Sequence, residues 1–258
     1  MTTQARRIRL QENLNRTRQA IAAACADAGR PPESVRLVVV TKTFPAADAA
    51  VLAELGQADL GENRDQEAAP KAAELARLGL EPVWHFVGQL QRNKARSVAS
   101  YAHWVHSVDR VSLAEAIDKA LNDTALDGPA SGDGVPASGD GVAATAHGRT
   151  VNALIQVSLD GDVSRGGAPI SGLEALAERI AGTRSLHLKG VMAVAPLGWE
   201  PAKAFALLNE CSEAVRRVDS GATEVSAGMS GDFAAAIGAG ATMVRLGRNV
   251  LGEREPMA

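Results

Sequence analysis

Three observations predict a parallel α/β fold closed into an eight-stranded barrel. Eight strand-like apolar runs alternate with helix-like segments along most of the chain, the pattern of successive βα units. Eight strands suit closure into a small barrel. The chain has 258 residues, near the usual length of a (β/α)8 TIM barrel. A doubly wound open sheet would show Gly-x-Gly-x-x-Gly after its first strand. Here Thr41-Lys42-Thr43-Phe44-Pro45 stands in that place.

Taken in order, residues 4–28 read as an extra N-terminal helix. Leu10, Leu14, Ile21 and Cys25 fall on one side, and Gly29 with Pro31 stop it. The strand-like runs follow at 35–41, 58–61, 84–88, 104–108, 151–159, 187–194, 223–227 and 243–247. Between most of them lie helix-like segments at 46–56, 65–78, 92–100, 111–122, 172–182, 201–218 and 232–239. Residues 123–149 break the alternation: PASGDGV at 129–135 is repeated at 136–142, with almost nothing to bury. This tract reads as a disordered surface insertion within one domain spanning 1–258.

Composition excludes several function classes. With 27 basic and 30 acidic residues the net charge is −3, which does not point to nucleic acid or an anionic membrane. No apolar stretch approaches the roughly 18 residues of a membrane helix, and residues 1–18 lack the apolar core of a signal peptide. Cys25 and Cys211 lie far apart, so a reduced, cytoplasmic setting is expected. Tyr101 is the only tyrosine, hence the only candidate for a tyrosine acid or base.

Lys42 closes the apolar run Leu37-Val38-Val39-Val40-Thr41. At the carboxyl end of a first barrel strand it would point into the mouth where such barrels keep their chemistry. A partly desolvated lysine there can lose its proton and form a Schiff base with an aldehyde; the structural alternative is a lysine reaching out to solvent. Ser226-Ala227-Gly228-Met229-Ser230-Gly231-Asp232 follows the seventh strand, and Met243-Val244-Arg245-Leu246-Gly247-Arg248-Asn249 spans the eighth and its loop. Loops at those positions often form a phosphate site. Placed opposite a strand-1 lysine, they point to a phosphorylated ligand. The bland alternative is tight turns with Ser230 or Asp232 as a helix cap. Arg245, inward-facing, needs either a carboxylate or a ligand heteroatom. Asn63, at the tip of the second strand, is a ligand contact or an Asx turn. His85 reads as a core histidine; His85, His103 and His106 lack the supporting spacing of a metal motif. Neither a Gly-x-Ser-x-Gly elbow nor a P-loop is present.

Seven segments carry a family resemblance: VVVTKT (38–43), GENRDQE (61–67), WHFVGQLQRNK (84–94), HSVD (106–109), GVMAV (190–194), SAGMSGD (226–232) and VRLG (244–247). On these the chain resembles the YggS/PROSC family of pyridoxal phosphate homeostasis proteins. The resemblance implies a fold-type III barrel, like the alanine racemase N-terminal domain, that binds pyridoxal 5′-phosphate (PLP). It puts the Schiff-base lysine at Lys42 and the cofactor-side asparagine at Asn63. The phosphate contacts fall on Ser226, Gly228, Met229 and Ser230, with the backbone at Gly247 and Arg248. The arginine facing the pyridine nitrogen falls on Arg245. Two positions depart from the family pattern: Arg248 stands where many relatives have threonine, and Ser164-Arg165-Gly166-Gly167 where relatives often have Ser-Lys-x-Gly. Arginine cannot form a Schiff base, so no lysine docking is expected there.

PLP catalysis draws on the ring as an electron sink. An arginine at the ring nitrogen is a permanent donor that leaves the nitrogen unprotonated and the sink weak. Alanine racemase works despite such an arginine, using a tyrosine base and a second domain for which this chain leaves no room. The expectation is therefore a carrier or buffer of PLP that exchanges with PLP-requiring apo-enzymes and is not an enzyme, with a monomer as the default in the absence of an appended domain. The alternative is a PLP-dependent amino-acid racemase.

Overall fold

The computed structural model describes residues 3–126 and 149–253. Eight parallel strands close on themselves: β1 (Arg36–Val40), β2 (Asp59–Glu62), β3 (Val83–Phe86), β4 (Trp104–Val108), β5 (Val151–Ser158), β7 (Leu186–Met192), β8 (Glu224–Ser226) and β9 (Met243–Leu246). Pairing of β4 with β5 on one side, and of β1 with β9 on the other, completes the ring. A two-residue strand, β6 (Ala168–Pro169), pairs only with the end of β5. The predicted (β/α)8 barrel is therefore the observed fold.

Side chains alternate across the wall, as strand geometry requires. Leu37, Val39 and Leu60 join the main core between strands and helices. Trp104, Leu154, Met192 and Met243 form a separate cluster inside the barrel. The inward positions of β3, β4, β8 and β9 also carry polar groups, His85, His106, Ser226 and Arg245, all buried. Gly190 in β7 has φ 144. A Cβ there would sit 1.9 Å from the Glu224 carbonyl oxygen, so only glycine lets β7 lie against β8 at this point, where β7 also shifts register on β5.

Helices coat the outside: α1 (Thr3–Asp27), α2 (Ala46–Glu54), α3 (Asp65–Arg77), α4 (Ala95–Tyr101), α5 (Val111–Leu126), α6 (Leu173–Ala181), α7 (Pro201–Val218), α8 (Phe233–Gly238) and α9 (Arg248–Leu251). In the predicted extra helix α1, the stripe Leu10, Leu14, Ile21 and Cys25 is buried against α8, α9 and α2. Each large apolar side chain buried there is worth about 1.5–3 kcal/mol. Arg6 pins the helix start, donating to both Asp48 carboxylate oxygens and to the Leu251 carbonyl. Of the tract predicted as an insertion, residues 123–126 continue α5; the remainder up to 148 lies outside the described residues.

Candidate cofactor site at the barrel mouth

Because all eight barrel strands run parallel, their carboxyl ends share one rim. Strand β1 stops at Val40, two residues before Lys42. Thr41-Lys42-Thr43-Phe44 then forms a turn closed by the Phe44 N–H donating to the Thr41 carbonyl at 3.1 Å. Thr43 at the third position has φ 68, the one described non-glycine residue with positive φ. A β-branched residue is costly in that region; the Glu67 carboxylate accepts its N–H at 2.8 Å and helps hold it there. Lys42 is thus presented at the exposed crest of a strained turn.

The sheet order β8–β9–β1–β2 puts Ser226, Gly228–Ser230, Arg245, Gly247, Arg248, Lys42 and Asn63 on one arc of the rim. The loops after the seventh and eighth barrel strands therefore flank the lysine and do not stand opposite it. Closure makes the last strand the neighbour of the first: Val38 pairs with Arg245 and Val39 with Leu246.

Arg245 is 5% exposed. It donates to the Ser226 carbonyl and hydroxyl, each at 2.7 Å, and to the Ala193 carbonyl at 2.9 Å. Burial lowers its pKa to about 10. Of the two partners the sequence left open, a carboxylate is not hydrogen-bonded to it among the described residues. A guanidinium has five N–H donors, so two remain for something else.

In the loop after β8, the Met229 N–H donates to Asp232 at 2.6 Å. The Ser230 and Gly231 N–H groups have no acceptor among the described residues. Gly228 has φ 88, and a Cβ there would lie 2.8 Å from Phe233 Cα and Ala236 Cβ; its turn is what brings the loop back over α8. Gly247 closes β9, and a Cβ on it would approach the Val40 carbonyl oxygen to 3.0 Å. Arg248 opens α9, a single turn too short for the sequence pattern to have revealed.

Asn63 Oδ1 is buried without a hydrogen-bond partner. The chain after β3 lies flush on this residue: a Cβ at Gly88 would stand 2.1 Å from the Asn63 carbonyl oxygen. A cavity of about 440 Å³ adjoins it, lined among others by Arg64, Phe86, Gln89 and Lys94.

Two groups were not legible as part of the site. Behind Lys42, on the outer face of the wall, buried Lys71 of α3 pairs with buried Glu62 and donates to the Thr41 carbonyl at 3.0 Å. The Thr41 hydroxyl donates to Glu62 at 2.6 Å. Desolvation raises the Glu62 pKa above the ordinary carboxylate range, with Lys71 working against it. Only the alternation of inward and outward residues on β2 could have signalled that Glu62 faces the helices. The other group is His106, whose Nδ1 lies 3.0 Å from Ser226 Oγ across the barrel.

Tyr101 ends α4, and its hydroxyl reaches back to Asp65 at 3.5 Å, between helices and outside the barrel. Burial raises its pKa further from neutrality. Among the described residues, no group of three or more His, Cys, Asp or Glu is arranged to hold a metal ion, and no helix is long and apolar enough to cross a membrane.

A family model described as the alanine racemase N-terminal domain matches residues 9–255. The pyridoxal phosphate homeostasis protein of Corynebacterium glutamicum is 42% identical over 241 residues, covering 92% of this chain and 98% of the relative. That of Mycobacterium leprae is 39% identical over 253 residues, covering 94% and 92%. Among solved structures, PipY of Synechococcus elongatus with PLP bound has a TM-score of 0.71 at 32% identity, over 90% of this chain and 100% of PipY. Alanine racemase of Corynebacterium glutamicum shares the fold, with a TM-score of 0.62 at 14% identity over 96% of this chain and 62% of the racemase. The arc of rim residues thus sits on a barrel that aligns nearly end to end with these relatives, and the chain belongs to the family of pyridoxal phosphate homeostasis proteins.

Proposed function

We propose that the chain binds pyridoxal 5′-phosphate through Lys42 and serves cofactor homeostasis as a carrier or buffer, without turnover of an amino acid. The donor set fits that group. An exposed amine at the rim can condense with the aldehyde, releasing water. Unengaged N–H groups at Ser230 and Gly231 suit a phosphate. The orphaned Asn63 Oδ1 sits on the β2 side of the amine, where a polar ring substituent can reach it. Arg245 offers remaining donors to a ring nitrogen. When bound, the cofactor supplies an aldehyde and an electron-withdrawing ring. The observation that carries the reading is the single arc holding the Lys42 turn, the β8 loop and Arg245.

Arg245 keeps its positive charge at neutral pH and donates; it does not hand a proton to the ring. The only tyrosine is turned away toward Asp65, which leaves a racemase without that base. PLP-requiring apo-enzymes are the partners this reading requires.

The test is direct. Protein mixed with PLP is expected to develop a visible absorption band, and borohydride followed by peptide mass analysis to place the reduced adduct on Lys42. Lys42→Ala is expected to lose both signals while keeping its circular dichroism. Loaded protein is expected to reactivate an apo-enzyme on a time course distinct from that of free PLP. An adduct on another lysine would overturn the site, and Lys42-dependent racemisation of any amino acid would overturn the carrier role.

A further inference from the structure

Beneath Arg245 a line of buried polar groups crosses the barrel interior. Ser226 Oγ accepts from Arg245 at 2.7 Å and lies 3.0 Å from His106 Nδ1. His106 Nε2 lies 2.9 Å from His85 Nδ1, and His85 Nε2 lies 2.9 Å from Asp59 Oδ1. Both rings are buried, the His85 plane stacked on Trp104 at 5.7 Å. Asp59 opens β2 at the opposite, floor end of the barrel, with its side chain 17% exposed and Arg36 at 3.7 Å. The line therefore runs from the floor to the residue nearest the proposed ring nitrogen.

Donor counting allows this line only one direction. A carboxylate only accepts, so His85 must carry its proton on Nε2. Its Nδ1 is then an acceptor, and His106 must donate from Nε2. His106 Nδ1 is then an acceptor as well, and the Ser226 hydroxyl turns its proton toward it. That leaves the lone pairs of Ser226 Oγ for Arg245. In the reverse direction the His85 Nε2 lone pair would face the Asp59 carboxylate, with no proton between them. Burial holds both imidazoles neutral, lowering their pKa values, so each has one proton to place.

We propose that Asp59, His85 and His106 are positioning residues. The carboxylate at the barrel floor fixes the tautomers of the two imidazoles, and these hold the Ser226 hydroxyl as an acceptor that orients Arg245 toward the ligand. One consequence is that the Ser226 side chain has no proton left for a phosphate; any contact from Ser226 to phosphate is then through a different atom. The step from Arg245 to the ligand rests on the PLP reading above, whereas the tautomer assignment does not.

The experiment therefore has two arms. In ligand-free protein, imidazole nitrogen NMR is expected to show His85 and His106 each as the Nε2–H tautomer. In Asp59→Asn, whose amide can donate as well as accept, a Nδ1–H population of His106 is expected to appear. In protein loaded with PLP, Asp59→Asn is expected to shift the visible band and weaken binding about fivefold, the worth of one hydrogen bond, while borohydride still traps the adduct on Lys42. A Nδ1–H proton on His106 in the unsubstituted protein overturns the proposal, and this measurement stands even if the variant does not fold. An unchanged tautomer, or an unchanged band and affinity, in a folded Asp59→Asn variant overturns it as well. Absence of any Lys42 adduct in the unsubstituted protein overturns the PLP reading and leaves the tautomer arm to be judged separately.

Discussion

Lys71→Ala is expected to lower the unfolding free energy by about 3–5 kcal/mol, the usual cost of leaving one member of a buried ion pair alone. The residue is 5% exposed and its partner Glu62 is 0% exposed, so water cannot replace the lost ammonium. Glu62 Oε2 is already without a hydrogen-bond partner; removing Lys71 strips Oε1 of its cation and leaves only the Thr41 hydroxyl on it. The Thr41 carbonyl loses one of its two donors and keeps the Phe44 N–H. A double variant, Lys71→Met with Glu62→Leu, is expected to recover most of the loss, since apolar side chains of similar volume commonly replace such pairs. About 1–3 kcal/mol should remain missing because the buried Thr41 hydroxyl loses the Glu62 acceptor and keeps only a 3.5 Å contact with the Gly61 carbonyl.

Urea unfolding checks these values, and its pH dependence has a definite sign. The folded-state pKa of Glu62 is raised already, and the loss of Lys71, which lowers it, raises it further. A group of that kind contributes stability below its unfolded pKa and loses it as pH rises through the folded one. The single variant should therefore be least destabilised near pH 5 and most destabilised above neutrality. A constant deficit from pH 5 to pH 8 would mean that the lysine acts through packing alone. Because Thr41 directly precedes Lys42, the same substitution is also expected to loosen the turn that presents the amine, read as slower trapping by borohydride in loaded protein.

How much of this was legible follows from where the determinants lie along the chain. The long apolar runs of β5 and β7 and the stripe on α1 announce themselves, because burial of a regular element imposes a local period. Lys42 was legible because a charged residue ends an apolar run. Its geometry was not. The strand stops at Val40, and the lysine sits in a turn whose positive φ falls on Thr43, where a sequence reader looks for glycine or asparagine. The one-turn α9 and the two-residue β6 are too short to carry any period. They depend on tertiary neighbours: β6 on the end of β5, and the residue before α9, Gly247, on the close approach of Val40 across the barrel seam. The Glu62–Lys71 pair and the His106–Ser226 contact were invisible for a related reason. The first joins a strand to the helix behind it, and the second spans 120 positions across the barrel interior. Neither spacing repeats in sequence. The seven family segments identified which residues matter around the mouth, but not that β9 lies directly beside β1.

Stability is expected to fall as pH drops below about 6.5, the ordinary value for imidazole, with two buried histidines, His85 and His106, and the half-buried His103 as the cause. His103 accepts the Trp84 N–H on Nδ1 at 3.0 Å, and burial lowers its pKa to about 4. His85 and His106 are lowered for the same first reason, desolvation. Above pH 6.5 each is neutral in both folded and unfolded chains, so stability is level. Below it the unfolded chain takes up protons that the folded interior refuses, and each proton fully refused adds about 1.4 kcal/mol per pH unit to the slope. For His103 the loss runs from pH 6.5 to about 4 and amounts to about 3 kcal/mol; for His106, well below its ordinary value, it continues further into acid. Glu62 opposes this, since its raised pKa lets the folded state take up a proton first, but one carboxyl cannot offset three imidazoles. Urea midpoints at pH 7.5, 6.5 and 5.5 should therefore show a small first interval and a large second one. His103→Gln, whose amide oxygen can still accept from Trp84, should reduce the slope in the second interval. A level profile down to pH 5.5 would require the barrel interior to accept an imidazolium. The line from Asp59 to Arg245 disfavours that: a second proton on His85 Nδ1 would face the His106 Nε2–H, and one on His106 Nδ1 would place a charge beside the buried guanidinium.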